Sequence, residues 1–143
     1  MPVIKPNISK GQLVKLSFSQ DNVAANQSDV QLYRSEVAAA ALLAVDEFNM
    51  PFAGEVVAIA YSLSAAGSAG SLTVGASVNG TEDADTTQTI STAARGYARI
   101  PRGKVTFTAG QYIGVEITTN ASWNGTSSDL AVDVYALMYL EGI

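Results

Sequence analysis

From Val57 the apolar residues Val57, Ile59, Tyr61 and Leu63 fall on every second position. After a small-residue break, Leu72, Val74, Ala76 and Val78 repeat the step. A spacing of two is the strand period, because successive side chains leave a strand on opposite faces. Between Leu72 and Val78 stand Thr73, Gly75 and Ser77, which predicts a half-buried antiparallel strand with one wet face. The same alternation recurs on both sides of this centre. Val14, Leu16 and Phe18 predict a first strand, and residues 30–33 start a second. Further on, weak strands are expected over 86–91 and 97–100. Val105 and Phe107, then Ile113, Val115 and Ile117, form inward rows. The last strand is the longest, with Leu130, Val132, Val134, Ala136, Met138 and Leu140 in one register.

Turn chemistry separates these runs. Asn79-Gly80 is a strong turn signal because both residues tolerate positive φ. Residues 101–103 and Ala109-Gly110 interrupt the chain again. Residues 35–48 are ambiguous: Ser35 and the alanines of 38–44 favour a helix, yet the stretch lies between strand signals and runs into Met50-Pro51. We assign 42–48 to a strand on the expectation that tertiary packing overrides propensity. Eight or nine strands with no convincing helix then predict an all-β fold. Their spacing and long loops fit an antiparallel two-sheet jelly-roll sandwich of about eight strands. Residues 1–12, with Pro2 and Pro6, read as an extended N-terminal arm, and residues 13–143 as a single sandwich domain.

Composition narrows the function. The chain of 143 residues is 48% hydrophobic but only 15% charged, so Ser, Thr, Asn, Gln and Gly must cover much of its surface. A net charge of −5 argues against nucleic acid, whose binding is driven by clustered Lys and Arg. No window reaches the ~18 apolar residues of a membrane helix, and no signal peptide is evident, so a soluble chain made in a cytoplasm is expected. Cysteine and histidine are both absent. That removes disulfides, thiolate and imidazole metal sites, and Ser-His-Asp or Cys-His catalysis. Asp129 and Asp133 share a strand face but stand about 13 Å apart at ~3.3 Å per residue, beyond the reach of a glycosidase pair. No catalytic residue, cofactor or metal is expected. The acidic stretch Glu82, Asp83 and Asp85 is either a solvated loop or a calcium ligand set without EF-hand spacing. Five Asn-X-Ser/Thr matches, beginning with Asn7 and ending with Asn124, reflect turn composition in a chain without a secretion signal.

Candidate contact residues are more informative. Arg95, Arg99, Arg102 and Lys104 are the one concentration of positive charge, either an interface to carboxylates or solubilising charge around a turn. Trp123, alone in a polar loop, either anchors a partner or plugs the end of the sandwich. Tyr135, Leu137 and Tyr139 occupy the face of the last strand that should be wet, joined by Tyr33 and Tyr112 if their registers match. An apolar outer face points to a covering subunit or sheet.

The segments Met50-Pro51-Phe52-Ala53-Gly54, Val56-Val57-Ala58-Ile59, Ala69-Gly70-Ser71-Leu72-Thr73-Val74 and Val78-Asn79-Gly80 together resemble small β-sandwich structural proteins of tailed bacteriophages. Phe107-Thr108-Ala109-Gly110-Gln111-Tyr112-Ile113-Gly114-Val115, Thr118-Thr119, Trp123 and Asp129-Leu130 continue the likeness, with Gln111 where such proteins often carry Asp. The resemblance covers residues 50–140 and implies a jelly roll, self-association as a homo-oligomer (often a trimer) and no catalysis. It points to a capsid cement or decoration protein on the virion surface, bound to the major capsid protein through the arm, including Ile4, and through one sheet face. The alternative is a receptor- or glycan-binding module at a fibre tip, with Trp123, Asn124 and the loop 82–85 as its candidate groups.

Overall fold

The computed structural model describes residues 11–34 and 46–140. Most of the N-terminal arm, Ile4 within it, and residues 42–45 of the ambiguous segment lie outside the described residues. Among the described residues, twelve strands form two antiparallel six-stranded sheets. Sheet A holds β1 (Gly11–Gln20), β3 (Tyr33–Arg34), β5 (Gly54–Leu63), β9 (Arg95–Arg99), β10 (Thr106–Phe107) and β12 (Leu130–Tyr139). Sheet B holds β2 (Val30–Gln31), β4 (Phe48–Asn49), β6 (Leu72–Val78), β7 (Thr81–Glu82), β8 (Gln88–Ile90) and β11 (Tyr112–Thr119). In sheet A, β12 lies between β1 and β5; β3 borders β1, and β9 and β10 share the free side of β5. In sheet B, β11 lies between β6 and the pair β2 and β4, while β7 and β8 share the far side of β6. The only helical piece among the described residues is a single 3-10 turn, Ala84–Thr86. The all-β sandwich expected from the periodicity is therefore the architecture, with β1 taking in Gly11 and Gln12 from the expected arm.

The alternating rows meet where the pattern predicts. Leu16 and Phe18 of β1, Val132, Val134 and Ala136 of β12, and Ile59 and Leu63 of β5 are buried against Leu72, Val74, Ile113, Val115 and Ile117 of sheet B. Burying such rows removes apolar surface from water at about 25 cal/mol per Å², the main favourable term in folding.

Three local departures have physical causes. The segment expected as one strand over 30–33 is two, since the chain leaves sheet B after Gln31 and joins sheet A at Tyr33. Leu32 marks the crossing, wholly buried and with its N–H donated to the Val115 carbonyl at 2.8 Å. In β5 the pairing with β12 slips between Tyr135 and Ala136, leaving Val57 as the extra residue of a β-bulge. The inward row accordingly runs Val56, Ile59, Tyr61 and Leu63, and Val57 is only half-buried. The face of β6 expected to be wet is covered: Gly75 and Ser77 are buried because the Glu82 side chain lies across Gly75. A Cβ on Gly75 would meet Glu82 Oε1 at 2.3 Å.

Trp123 closes one end of the sandwich. It is 2% exposed, and its indole N–H donates to the Val23 carbonyl at 3.0 Å. Gly67, Gly70 and Gly125 let the ring and its backbone come this close; a Cβ on Gly125 would lie 2.3 Å from the ring. A buried lone Trp predicts blue-shifted emission that iodide quenches poorly; a free-indole spectrum would contradict this placement. Gly70 and Gly103 both have φ of +78°, but only Gly70 is crowded, a Cβ there lying 2.2 Å from the Trp123 nitrogen. Gly103→Ala is expected to cost about 1–2 kcal/mol from backbone strain alone. Gly70→Ala is expected to cost roughly 4 kcal/mol or more in denaturant unfolding, since backbone must move as well.

Candidate functional site

The register of sheet A aligns its outward side chains in rows across the strands. One row is Leu13, Leu137, Glu55 and Thr106; the next is Lys15, Tyr135, Ala58 and Arg99. A third is Ser17, Asp133, Ala60 and Tyr97, and a fourth is Tyr33, Ser19, Ala131, Ser62 and Arg95. Three inter-strand steps of ~4.8 Å make each four-membered row about 14 Å wide. Small residues alternate with tyrosines, so the face is broad and low. Tyr97 and Leu13 are its most accessible apolar groups, 72% and 58% exposed, and Tyr33 stands at its edge. Tyr135 and Leu137 are half-buried between their neighbours. At the end of the face, Ser19, Gln20, Ser62, Arg95, Asp129 and Ala131 line a hollow of about 360 Å³.

The sequence-derived contact residues divide on this framework. Arg95, Arg99, Tyr135 and Leu137 share the outer face of sheet A, and Tyr33 joins them through its pairing with Ser19. The Arg95 and Arg99 side chains are exposed and make no hydrogen bond or ion pair among the described residues. Arg102 and Tyr139 are occupied within the chain. Glu55 is 2% exposed, and its carboxylate accepts from the Arg102 guanidinium, the Tyr139 hydroxyl and the Gly103 N–H. Trp123 cannot be a partner anchor, because it is the buried plug described above. Tyr112 does not join the face either: it projects from β11, outward from sheet B. Asn124, a candidate for glycan binding, accepts from the Ser68 and Ala69 N–H groups at 2.9 and 3.0 Å and so ties two loops together.

The acidic stretch also divides. Asp83 caps the 3-10 turn by accepting the Asp85 N–H at 3.0 Å. Glu82 instead turns over sheet B, where its carboxylate oxygen lies within 4.8 Å of those of Asp29 and Glu116. Glu116 is only 6% exposed and takes a 2.6 Å bond from the Gln31 amide, its register partner. Gln31 Oε1 is buried beside it without a hydrogen-bond partner. Gly75 and Gly114 leave the room these side chains occupy: a Cβ on Gly114 would strike Gln31 Oε1 and Ser77 Oγ, with Glu47 close behind. Burial raises the Glu116 pKa, and the charges of Glu82, Asp29 and Glu47 raise it further. Glu47 is raised too, by burial and then by Asp46. Asp29, Glu82 and Glu116 are the described residues whose oxygens together could hold a hard cation. Asp29 and Glu116 have no local signal in the sequence, being 87 positions apart; they meet because β2, which Asp29 precedes, pairs with β11, which holds Glu116.

No family model matches the chain, and no curated protein matches it.

The carboxylate cluster makes a definite pH prediction. Folding penalises the ionised form of a carboxylate whose pKa is raised, so stability falls as pH rises from the unfolded value through the folded one. The window for Glu116 and Glu47 therefore lies above 4.5. Thermal unfolding should shift upward between about pH 7.5 and pH 5. Glu116→Gln should raise Tm at neutral pH by about 2–4 °C and flatten the profile; a variant less stable at neutral pH would contradict the assignment.

Proposed function

We propose that the protein is a non-catalytic structural protein of a virus particle, of the capsid cement type, and that it docks on neighbouring protein surfaces through the outer face of sheet A. The observation that carries this reading is the face itself. Tyr33, Tyr97, Tyr135, Leu13 and Leu137 lie side by side with Arg95 and Arg99 on one broad paired-sheet surface. Tyrosine and arginine are enriched where proteins meet, because they combine large contact area with hydrogen bonding. An apolar strip of this kind on a chain otherwise coated with Ser, Thr, Asn and Gln favours a covered surface over a solvated one.

The strand order supports the jelly-roll winding that the phage resemblance implies, with β12 held between β1 and β5 and β11 between β2 and β6. The chemistry supports a non-catalytic role. Asp133 is occupied by the Ser17 hydroxyl at 2.6 Å, and Asp129 accepts the Asn22 N–H at 3.1 Å. A chain without histidine or cysteine has few other nucleophile–base pairs to offer. A fibre-tip glycan site is disfavoured, since Trp123 and Asn124 are both committed to holding loops together. Self-association and attachment to the major capsid protein then follow as the protein's partners, with weak contacts multiplied by the symmetry of the particle.

The test is reconstitution on heads that lack the protein. Wild-type protein should co-sediment with them and raise the temperature at which they break. Leu13→Asp/Tyr97→Asp, both exposed positions, should keep its own Tm within a few degrees yet fail to co-sediment. Heads that leave the wild type in the supernatant, or bind the variant equally well, would remove the reading.

A further inference from the structure

The two outer faces of the sandwich differ in their charged groups. Every cation of the described residues lies on sheet A or in the turn between β9 and β10. On the outer face of sheet A, Lys15, Arg95 and Arg99 face Asp133, with Asp21 and Asp129 beside Arg95 in the end hollow, while Glu55 is paired with Arg102. Sheet B and its flanking residues hold no cation among the described residues, and its outer face carries Asp29, Glu47, Glu82 and Glu116. The described cations thus stand with the tyrosines on one side of the sandwich, and the converging carboxylates of Asp29, Glu82 and Glu116 lie on the other, where no described cation stands.

We propose that the outer face of sheet A is covered by the acidic outer face of sheet B of a second copy, so that copies associate head to tail. The proposal rests on reading sheet A as a docking surface and concerns the self-association part of that reading: within a stack each sheet A face is covered by another copy, and only the terminal copy keeps its face for the capsid. Three carboxylates within 4.8 Å repel one another, and no cation stands in their own sheet among the described residues. Arg95 and Arg99 are guanidinium groups without a partner in theirs. Planar guanidinium groups pair carboxylates bidentately, so one deficit answers the other. Asp29 is exposed and Glu82 half-buried, which leaves both within reach of a side chain arriving from above, with Glu116 beneath them. Burial first, and then the charges of Glu82, Asp29 and Glu47, raise the Glu116 pKa; an arriving guanidinium offsets the second cause. Because the two faces are on opposite sides of the sandwich, the contact is heterologous and repeats: each copy has one face used and one free. The result is an open stack, in contrast to the closed trimer that the phage resemblance implies.

Sedimentation velocity on the purified full chain, with EDTA present so that no divalent ion substitutes for arginine, tests this. The wild type should form a concentration-dependent series of species that weakens roughly tenfold between low and high salt as screening grows. Arg95→Glu/Arg99→Glu and Glu47→Lys/Glu82→Lys should each be monomeric, and mixing them in equal amounts should restore association, since each supplies the face the other needs. Circular dichroism and melting confirm folding of both; if the lysine variant unfolds, Asp29→Asn/Glu82→Gln replaces it and should weaken association about as far as high salt does. A wild type that stays monomeric overturns the proposal. So does a single trimeric species unaffected by the acidic-face variants, or a mixture that fails to associate. If acidic-face variants associate normally while Leu13→Asp/Tyr97→Asp does not, sheet A still docks, but on something other than sheet B.

Discussion

Strand β12 is paired along its whole length on both sides, from Leu130 to Tyr139 with β1 and from Leu130 to Met138 with β5. Its inward residues Leu130, Val132, Val134 and Ala136 are all within 1% of complete burial. These two constraints act on the same ten residues. A one-residue slip would turn the apolar row to solvent and Asp133 and Tyr135 into the core, so register is enforced by burial as much as by hydrogen bonds. Everything else in sheet A takes its position from this strand. The bulge at Val57 is where β5 adjusts to it: the bulge keeps Val56 and Ile59 both inward although they are three residues apart.

A sandwich has two inner faces and two outer ones, and here the outer faces differ in kind. Sheet A presents alanine, serine and tyrosine with guanidinium groups at one margin. Sheet B presents a depression floored by Gly75 and Gly114 and filled by carboxylates. Glycines in the middle of strands weaken a sheet in isolation, because they add backbone entropy without packing. At these two positions the missing Cβ is what admits Glu82 and Gln31 over the backbone. The same device serves the end of the sandwich, where glycines admit Trp123. Charge segregation then follows from strand order: residues distant in sequence are sorted to one side or the other by the sheet they join.

Much of this organisation was legible from alternation alone. The rows at Leu16–Phe18, Leu72–Ala76, Ile113–Ile117 and Leu130–Ala136 are all core rows, because period-two patterning and burial are two expressions of one geometry. Placing Arg95, Arg99, Tyr135 and Leu137 on a surface was within reach for the same reason. Uniting them on one surface was not, since that depends on β9 pairing with β5 and β5 with β12. The residues left open or misread were those whose burial has a non-local cause. Trp123 sits in a polar loop of Ser, Asn and Thr, and its surroundings in sequence gave no sign that Gly67 and Gly70 fold over it. Ser77 looked solvent-facing until Glu82, Gln31 and Glu47 were seen to cover its sheet.

By itself, then, the order of residues determined the strand class, the inward rows, the turn at Asn79-Gly80 and the absence of histidine and cysteine, all of which are local or compositional properties. Only the tertiary structure decided which strands are neighbours, where the register slips, that Leu32 crosses between sheets, and that Asp29, Glu82 and Glu116 converge. The reason is physical: alternation specifies which side of a strand is apolar, but every apolar side would satisfy the core equally well. The choice among pairings is made by the simultaneous fit of all strands around one interior, and no segment carries that information alone.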